Sequence, residues 1–312
     1  MGRLGMAIAV LLGALTTPAL HAQPAHRAIL AEKLDAELTR LVDDFEGVAG
    51  VQAIDLVTGE VFAVDADLVF PQASAIKIPL LIELFRRESE APGFVGERRT
   101  IDDEVRTGGS GVLRHLSDGG TEMSLEDLAV FMIVYSDNTA TNLLIDAVGM
   151  DAVNALMDEL GAPNTRLQRK MIRPEASVRG DENLSTPAEA ATLMARLAAC
   201  DLPLSAAACD RVKSILSIEK GGPFRDPVPT SVPMAWKPGG VEGVATAWGI
   251  VGLADRPYAL AVMSSYGHEG AALVRAVQAA VYDHFSRLDR STEYGVRVPL
   301  RVLPARGGGP TP

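Results

Sequence analysis

A serine and a lysine one helical turn apart, at the mouth of an apolar helix, constrain this chain more than any other feature. Phe70-Pro71-Gln72-Ala73-Ser74-Ala75-Ile76-Lys77 runs directly into Ile78-Pro79-Leu80-Leu81-Ile82-Glu83-Leu84-Phe85. A run this apolar reads as a buried helix, so the fold must enclose it. Residues three apart on a helix share a face, which brings the Lys77 amine within reach of the Ser74 hydroxyl. A serine hydroxyl attacks well only when a neighbouring base takes its proton, and lysine serves when burial and nearby positive charge lower its pKa. No other charged residue lies between Asp67 and Glu83. Ser74 is therefore the candidate nucleophile and Lys77 its candidate base. Ser-x-x-Lys also arises by chance in chains of this size, so its weight depends on the remaining sequence.

Residues 1–22 carry one basic residue, Arg3, then the apolar run Met6 to Leu15 and a group of small residues. This is the pattern of a secretory signal peptide, with cleavage expected after Ala22 or after Ala19. The run is too short for a permanent membrane span, and no cysteine stands at the cleavage point to take a lipid. A soluble, secreted protein, periplasmic or extracellular and without a stable membrane anchor, is the expectation. The mature chain has 28 basic against 40 acidic residues, a formal charge of −12. Such an acid excess argues against nucleic acid or an anionic membrane as partner. A small-molecule substrate and a monomer are expected instead. Cys200 and Cys209 flank a turn-like stretch, and an oxidising compartment favours a disulfide stapling two helix ends. Two buried thiols are the alternative; neither cysteine fits a zinc pattern.

Ile29 to Phe45 has helical spacing, and Val48–Leu56 and Val61–Val64 read as strands joined at Thr58-Gly59-Glu60. A long helical region follows. Ser124-Leu125-Glu126-Asp127 and Thr186-Pro187-Ala188-Glu189 have the form of helix N-termini. Strands return at Val232–Lys237, Thr246–Ala254 and Tyr258–Ser265, and a helix from about Glu269 to Phe285 closes the domain. The expected class is α/β in the α+β sandwich sense, with an antiparallel sheet built from both termini and flanked by helices. A large all-helical middle subdomain is inserted between. The boundaries are 1–22 signal peptide, 23–70 and 215–286 α/β subdomain, 71–214 helical subdomain, and 287–312 a disordered tail.

Two further motifs fall on the cleft between these parts. Ser136-Asp137-Asn138 interrupts the helical run Leu125 to Leu144, and Lys237-Pro238-Gly239-Gly240 ends a strand. Ser-x-x-Lys, Ser-Asp-Asn and a Lys-x-Gly element in this order are the signature of class A β-lactamases and penicillin-binding proteins. The chain resembles that family, the penicillin-recognising serine hydrolases, over nearly its whole mature length, as an atypical member.

The resemblance implies a β-lactamase/transpeptidase-like fold and a set of roles. Ser74 would be acylated, Lys77 would accept or relay its proton, and Ser136, in contact with Lys237, would pass a proton to the leaving nitrogen. Asn138 would bond Lys77 and a substrate amide. The backbone N–H groups of Ser74 and Gly240 would form the oxyanion hole, with Gly239 beside them. Asp137 would hold its loop through backbone N–H groups. The substrate would be a β-lactam, or a peptidoglycan-derived peptide for a D,D-peptidase. A penicillin-binding or sensing module that acylates once is a third reading. No metal or other cofactor is implied.

The chain departs from the pattern in three places. The family's Glu-x-x-Leu-Asn motif is absent from the shortened segment Met171 to Pro187, where Glu175 and Glu182 are the candidate deacylation bases and exposed surface acids the plainer reading. Pro238 lacks the hydroxyl expected between Lys and Gly. No basic residue lies between Val241 and Asp255, where Trp248 is offered as a substrate contact instead.

Overall fold

A computed structural model of the chain describes residues 25–117 and 120–299. The signal segment expected at 1–22 lies outside them, as do residues 300–312 of the expected tail.

The first helix, α1 (Ala25–Asp43), is followed by β1 (Val48–Asp55) and β2 (Val61–Val64), the expected hairpin. Asp55 Oδ1 accepts from the Val57 and Thr58 N–H groups at 2.7 and 3.2 Å and closes its turn, with Gly59 at φ +78°. β3 (Phe70–Pro71) passes through a 3₁₀ turn, Ala73–Ile76, into α2 (Lys77–Glu90). The middle of the chain supplies β4 (Arg98–Ile101), β5 (Thr121–Ser124), α3 (Leu125–Val134), α4 (Asn138–Val148) and α5 (Met150–Glu159). It continues with α6 (Pro174–Val178), β6 (Leu184–Ser185), α7 (Pro187–Ala198) and α8 (Ala206–Ser217). β7 (Met234–Val241), β8 (Val244–Val251), β9 (Tyr258–Ser265) and α9 (Gly270–Leu288) complete the described chain.

One five-stranded sheet runs in the order β2-β1-β9-β8-β7, with every pairing antiparallel. Its central strand, β9, joins the N-terminal hairpin to the C-terminal strands, so the two ends of the chain build one sheet as expected. Side chains of β9 alternate between two cores. Leu260 and Val262 pack with Leu38 of α1 and Val277 and Phe285 of α9, while Ala259, Ala261 and Met263 face the helical half. In that half α2 is buried from Lys77 through Phe85 and packs against α3, α4, α5 and α8. A helix buried all round can carry a lysine only where the amine finds partners.

Both helix starts read from the sequence form as caps: Ser124 Oγ accepts from Asp127 N–H at 3.0 Å and Thr186 Oγ1 from Glu189 N–H at 3.1 Å. Cys200, just past α7, is bonded to Cys209 in α8. The staple between two helix ends is therefore present.

Four details differ from expectation. Ser74 sits in the 3₁₀ turn, one turn before α2, because Gln72 is anchored on both sides: its N–H donates to Asn183 O at 2.7 Å and its carbonyl accepts from Thr246 Oγ1 at 3.0 Å. Lys237 to Gly240 lies within β7 rather than at a strand end, since the hairpin turns at Glu242-Gly243, with Gly243 at φ +76°. Pro238 is tolerated there because β7 is an edge strand. The middle segment is helical but also holds the pair β4–β5 and the strand β6, which pairs with β3. Finally, α9 runs to the buried Leu288, and Asp289 Oδ1 accepts from Asp255 N–H at 2.8 Å. Residues 287–289 thus belong to the folded unit rather than to a tail beginning at 287.

Candidate active site

The edge of β7 and the loop between α3 and α4 face each other across the head of α2, and each contributes one element of the site. Lys77 is fully buried and donates to Ser136 O at 2.7 Å, Asn138 Oδ1 at 3.0 Å and Ser136 Oγ at 3.1 Å. Lys237 reaches the same hydroxyl from β7, also at 3.1 Å, and donates to Pro238 O at 2.8 Å. Two lysines thus converge on Ser136 Oγ. An oxygen that accepts from both has its own proton free for a third partner.

Burial pulls the Lys77 amine down from its ordinary 10.5 to about 7, against the opposing charge of Asp137. Near neutral pH such an amine is often uncharged and able to take a proton. Lys237 is pushed well below 10.5, first by burial and then by the charges of Lys77 and Lys220. Lys220 is absent from the expected site residues. Its Nζ donates to Leu216 O at 2.6 Å and Ile218 O at 3.0 Å, stands 5.3 Å from the Trp236 ring centroid, and is lowered by burial to about 8. No motif marks it; its closeness to Lys237 comes from α8 packing on β7.

Backbone strain marks both sides of the cleft. Ala73, immediately before Ser74, and Ser136 are non-glycine residues at φ +45° and +52°. This left-handed conformation persists only when neighbours enforce it, and such residues concentrate at functional sites. Around Ser136 the enforcing group is Asp137. Its Oδ2 accepts from the Val112 and Leu113 N–H groups at 2.7 and 2.8 Å, and its Oδ1 accepts from Ala140 N–H at 2.9 Å. Asp137 therefore holds its loop, as expected. Asn138 bridges Lys77 and the facing loop, donating to Gly108 O at 3.0 Å.

Gly239 is where β7 meets the Ser74 turn. A Cβ there would stand 2.4 Å from Gln72 O and 2.7 Å from Ala75 N, so only glycine admits this approach. At Gly240 the nearest such atom is 3.7 Å away, which leaves its side of the strand open. The structure thus brings together Lys77, Ser136, Asn138 and Lys237, with Ser74 and Gly239–Gly240 on the adjoining turn and strand.

Three proposed residues are not brought into this cluster. Trp248 is corrected outright: it is fully buried, and its Nε1 donates to Gln72 Oε1 at 2.8 Å. It braces the segment before Ser74 from behind and offers nothing to a substrate. Gln72, which received no role from the sequence, is the buried hub of that brace; its Nε2 also donates to Phe70 O at 2.8 Å. Its one signal is a lone amide inside an otherwise apolar entry to the nucleophile.

Glu182 is held by Arg169, with Nη2 at 2.7 Å. Glu175 lies exposed on α6. The loop carrying them is closed by Arg166 and Leu184, whose backbones exchange two hydrogen bonds of 2.9 Å, and it is pinned to α4 by Asn142, which bonds Met171 N–H and Met171 O. Ile172 of this loop and Asn138 both flank Gly109: a Cβ there would lie 2.8 Å from Asn138 Nδ2 and 3.0 Å from Ile172 Cδ1.

A buried serine-side lysine, a second lysine on an edge strand, and a shared hydroxyl define a serine acyl-transfer site on a sheet flanked by helices. Comparison with known proteins agrees. The Beta-lactamase enzyme family matches residues 33–285, and the chain belongs to that family. It is 29% identical over 227 residues to beta-lactamase SME-1 of Serratia marcescens, across 70% of this chain and 75% of that protein. Its fold is shared with the crystal structure of a beta-lactamase from Sphaerobacter thermophilus, at 29% identity and a TM-score of 0.74, covering 82% of this chain and 97% of the other. A mutant of PBP-A, solved as an acyl-enzyme complex with penicillin G, superposes equally well, with 27% identity, a TM-score of 0.74 and the same coverage. At the level of family and fold, the chain is a class A β-lactamase-like serine hydrolase.

Proposed function

We propose that this protein opens β-lactams by forming an acyl-enzyme on Ser74, and that hydrolysis of this intermediate is its slow step. Ser74 Oγ attacks the lactam carbonyl as its proton passes to Lys77, the oxyanion is held by the N–H groups of Ser74 and Gly240, and Ser136 protonates the departing nitrogen. Lys237, lowered by burial in the free protein, takes up its charge beside the carboxylate of an anionic substrate. The observation that carries the reading is the pair of buried lysines meeting at Ser136 Oγ, with Lys77 tuned to about 7. Secretion to the periplasm belongs to the same reading, supported by the signal-like residues 1–22 and by the disulfide. No described helix is long and apolar enough to cross a membrane.

A specific observation favours a second reading, in which the adduct lasts and the protein is a penicillin-binding module. The three acids of the loop are turned to other uses or to solvent, Glu182 to Arg169, Asp181 to Arg179 and Glu175 to solvent, and the loop residue that flanks Gly109 together with Asn138 is an isoleucine. Labelling with a fluorescent penicillin, followed by a chase with unlabelled compound, tests both. Label that appears and then decays supports the hydrolase, label that persists supports the binding module, and no label on a folded protein contradicts both.

A further inference from the structure

An apolar groove of about 460 Å³ opens where the sheet runs out beside the Ser74 turn. Its walls are Val48, Leu68, Val69, Pro71, Val244 and Tyr266. Val48, Leu68, Val69 and Tyr266 are among the large apolar side chains that the fold leaves exposed, and they lie together here. Clustered exposure of this kind marks a binding surface more often than scattered residues do. The clustering is built in: Val48 and Val244 are both in register with Ser265, so three neighbouring strands place these side chains side by side on the face that carries the active site.

Two polar features limit what can fill the groove. Ser265 Oγ is buried and has no hydrogen-bond partner among the described residues. Glu242 is the one charged residue among the described lining, and the chain carries a net charge of −11. An anionic group would be repelled, whereas a neutral or cationic apolar group with one hydrogen-bonding atom is suited. Tyr266 adds to the picture: it is 86% exposed and held at φ +63°, a conformation that a bulky residue seldom adopts without a role.

Both long walls are continuous along the chain with segments of the candidate site. β3 leads through Gln72 to Ser74, and the hairpin turn at Glu242-Gly243 leads back along β7 to Gly240. We infer that this groove is an extended subsite for the apolar, uncharged or cationic side arm of the acylating substrate. The inference rests on the acyl-transfer reading above and adds a substrate preference to it: aromatic or branched arms should be favoured over short or carboxylate-bearing ones.

The test compares acylation rates, by intact mass, for penicillins that share a nucleus and differ in the arm: a biaryl arm, a carboxylate-bearing arm, and none. The wild-type chain should favour the biaryl compound. Tyr266→Asn, which keeps a residue tolerant of positive φ, and Leu68→Ser should each lower that advantage by about tenfold while leaving the armless compound unchanged. An advantage that survives both substitutions, or rates that fall equally for all three compounds, overturns the subsite. If no compound acylates the wild type, the acyl-transfer reading has failed, and the neutral fluorophore N-phenyl-1-naphthylamine then tests the groove alone. Saturable binding that Tyr266→Asn abolishes retains an apolar site there, and absence of binding removes it.

Discussion

The two sides of the active-site cleft are built to different standards. On the side of α2 and β7 the side-chain polar atoms of Lys77, Ser136, Asn138 and Lys237 are engaged with another member of the cluster or with backbone. On the side of the loop 166–184 the acids are engaged elsewhere: Glu182 with Arg169, Asp181 with Arg179, Glu175 with solvent. Forming an acyl-enzyme needs a base beside Ser74, and hydrolysing it needs a base beside water. On the proposed reading the first base is Lys77, set among buried and strained residues, whereas the acids of the loop bond arginines or face solvent. If the proposed roles hold, acylation and deacylation are separable in this fold, because different segments would carry them.

The largest test of the contrast is Ser74→Ala, which should end covalent labelling by penicillin while the thermal unfolding midpoint stays near that of the wild type. Label that survives would move the nucleophile elsewhere. Next, Lys77→Ala should slow acylation by roughly 10²-fold or more. With Lys77 at about 7, the acylation rate of the wild type should rise through neutral pH and level off above it. A flat profile between pH 6 and 8 would contradict its role as base. Stability carries the same signature. Between about 7 and 10.5 the unfolded chain holds a proton that folded Lys77 does not, so this lysine's contribution to stability increases with pH across that window and is least below it. Lys237, lowered in the same direction, reinforces the trend.

A smaller effect should follow Gly239→Ala. The added methyl forces β7 from Gln72 O and Ala75 N, at a cost of about 1–3 kcal/mol, and acylation should fall while the sheet is retained. Unchanged acylation would show that the strand's approach to the Ser74 turn is not needed. The smallest effects belong to the loop. Glu175→Gln and Glu182→Gln should leave deacylation unchanged, with Glu182→Gln losing about 1 kcal/mol or less of stability through its ion pair. A tenfold drop in deacylation for either would place a working base in the loop and erase the contrast.

The built side of the cleft is also the side that could be read in the sequence. Ser74 and Lys77 lie one turn apart, and Ser136 and Asn138 lie two apart, so local periodicity and spelling locate them before any contact is known. The sheet was legible for a related reason: alternating apolar strands at both ends of the chain must pair to be buried, and the register of β1 with β9 is that pairing. What failed depended on distant partners. Trp248 is offered as a contact only because no basic residue lies between Val241 and Asp255, which says nothing of what covers its side chain, and Gln72 bonds it from far away in sequence. The use of Glu182 by Arg169 and the approach of Lys220 to Lys237 are likewise set by packing between elements that the sequence does not order.

Intact-mass spectrometry of the mature protein with benzylpenicillin, run beside the absorbance of hydrolysed nitrocefin, separates fast acylation of Ser74 from slow hydrolysis of the adduct. The expected result is an adduct of one equivalent on Ser74 that forms quickly and dominates the steady state, with product accumulating slowly. Rapid product over many equivalents with no detectable adduct would contradict it, and would require a deacylating base that the loop 166–184 does not display.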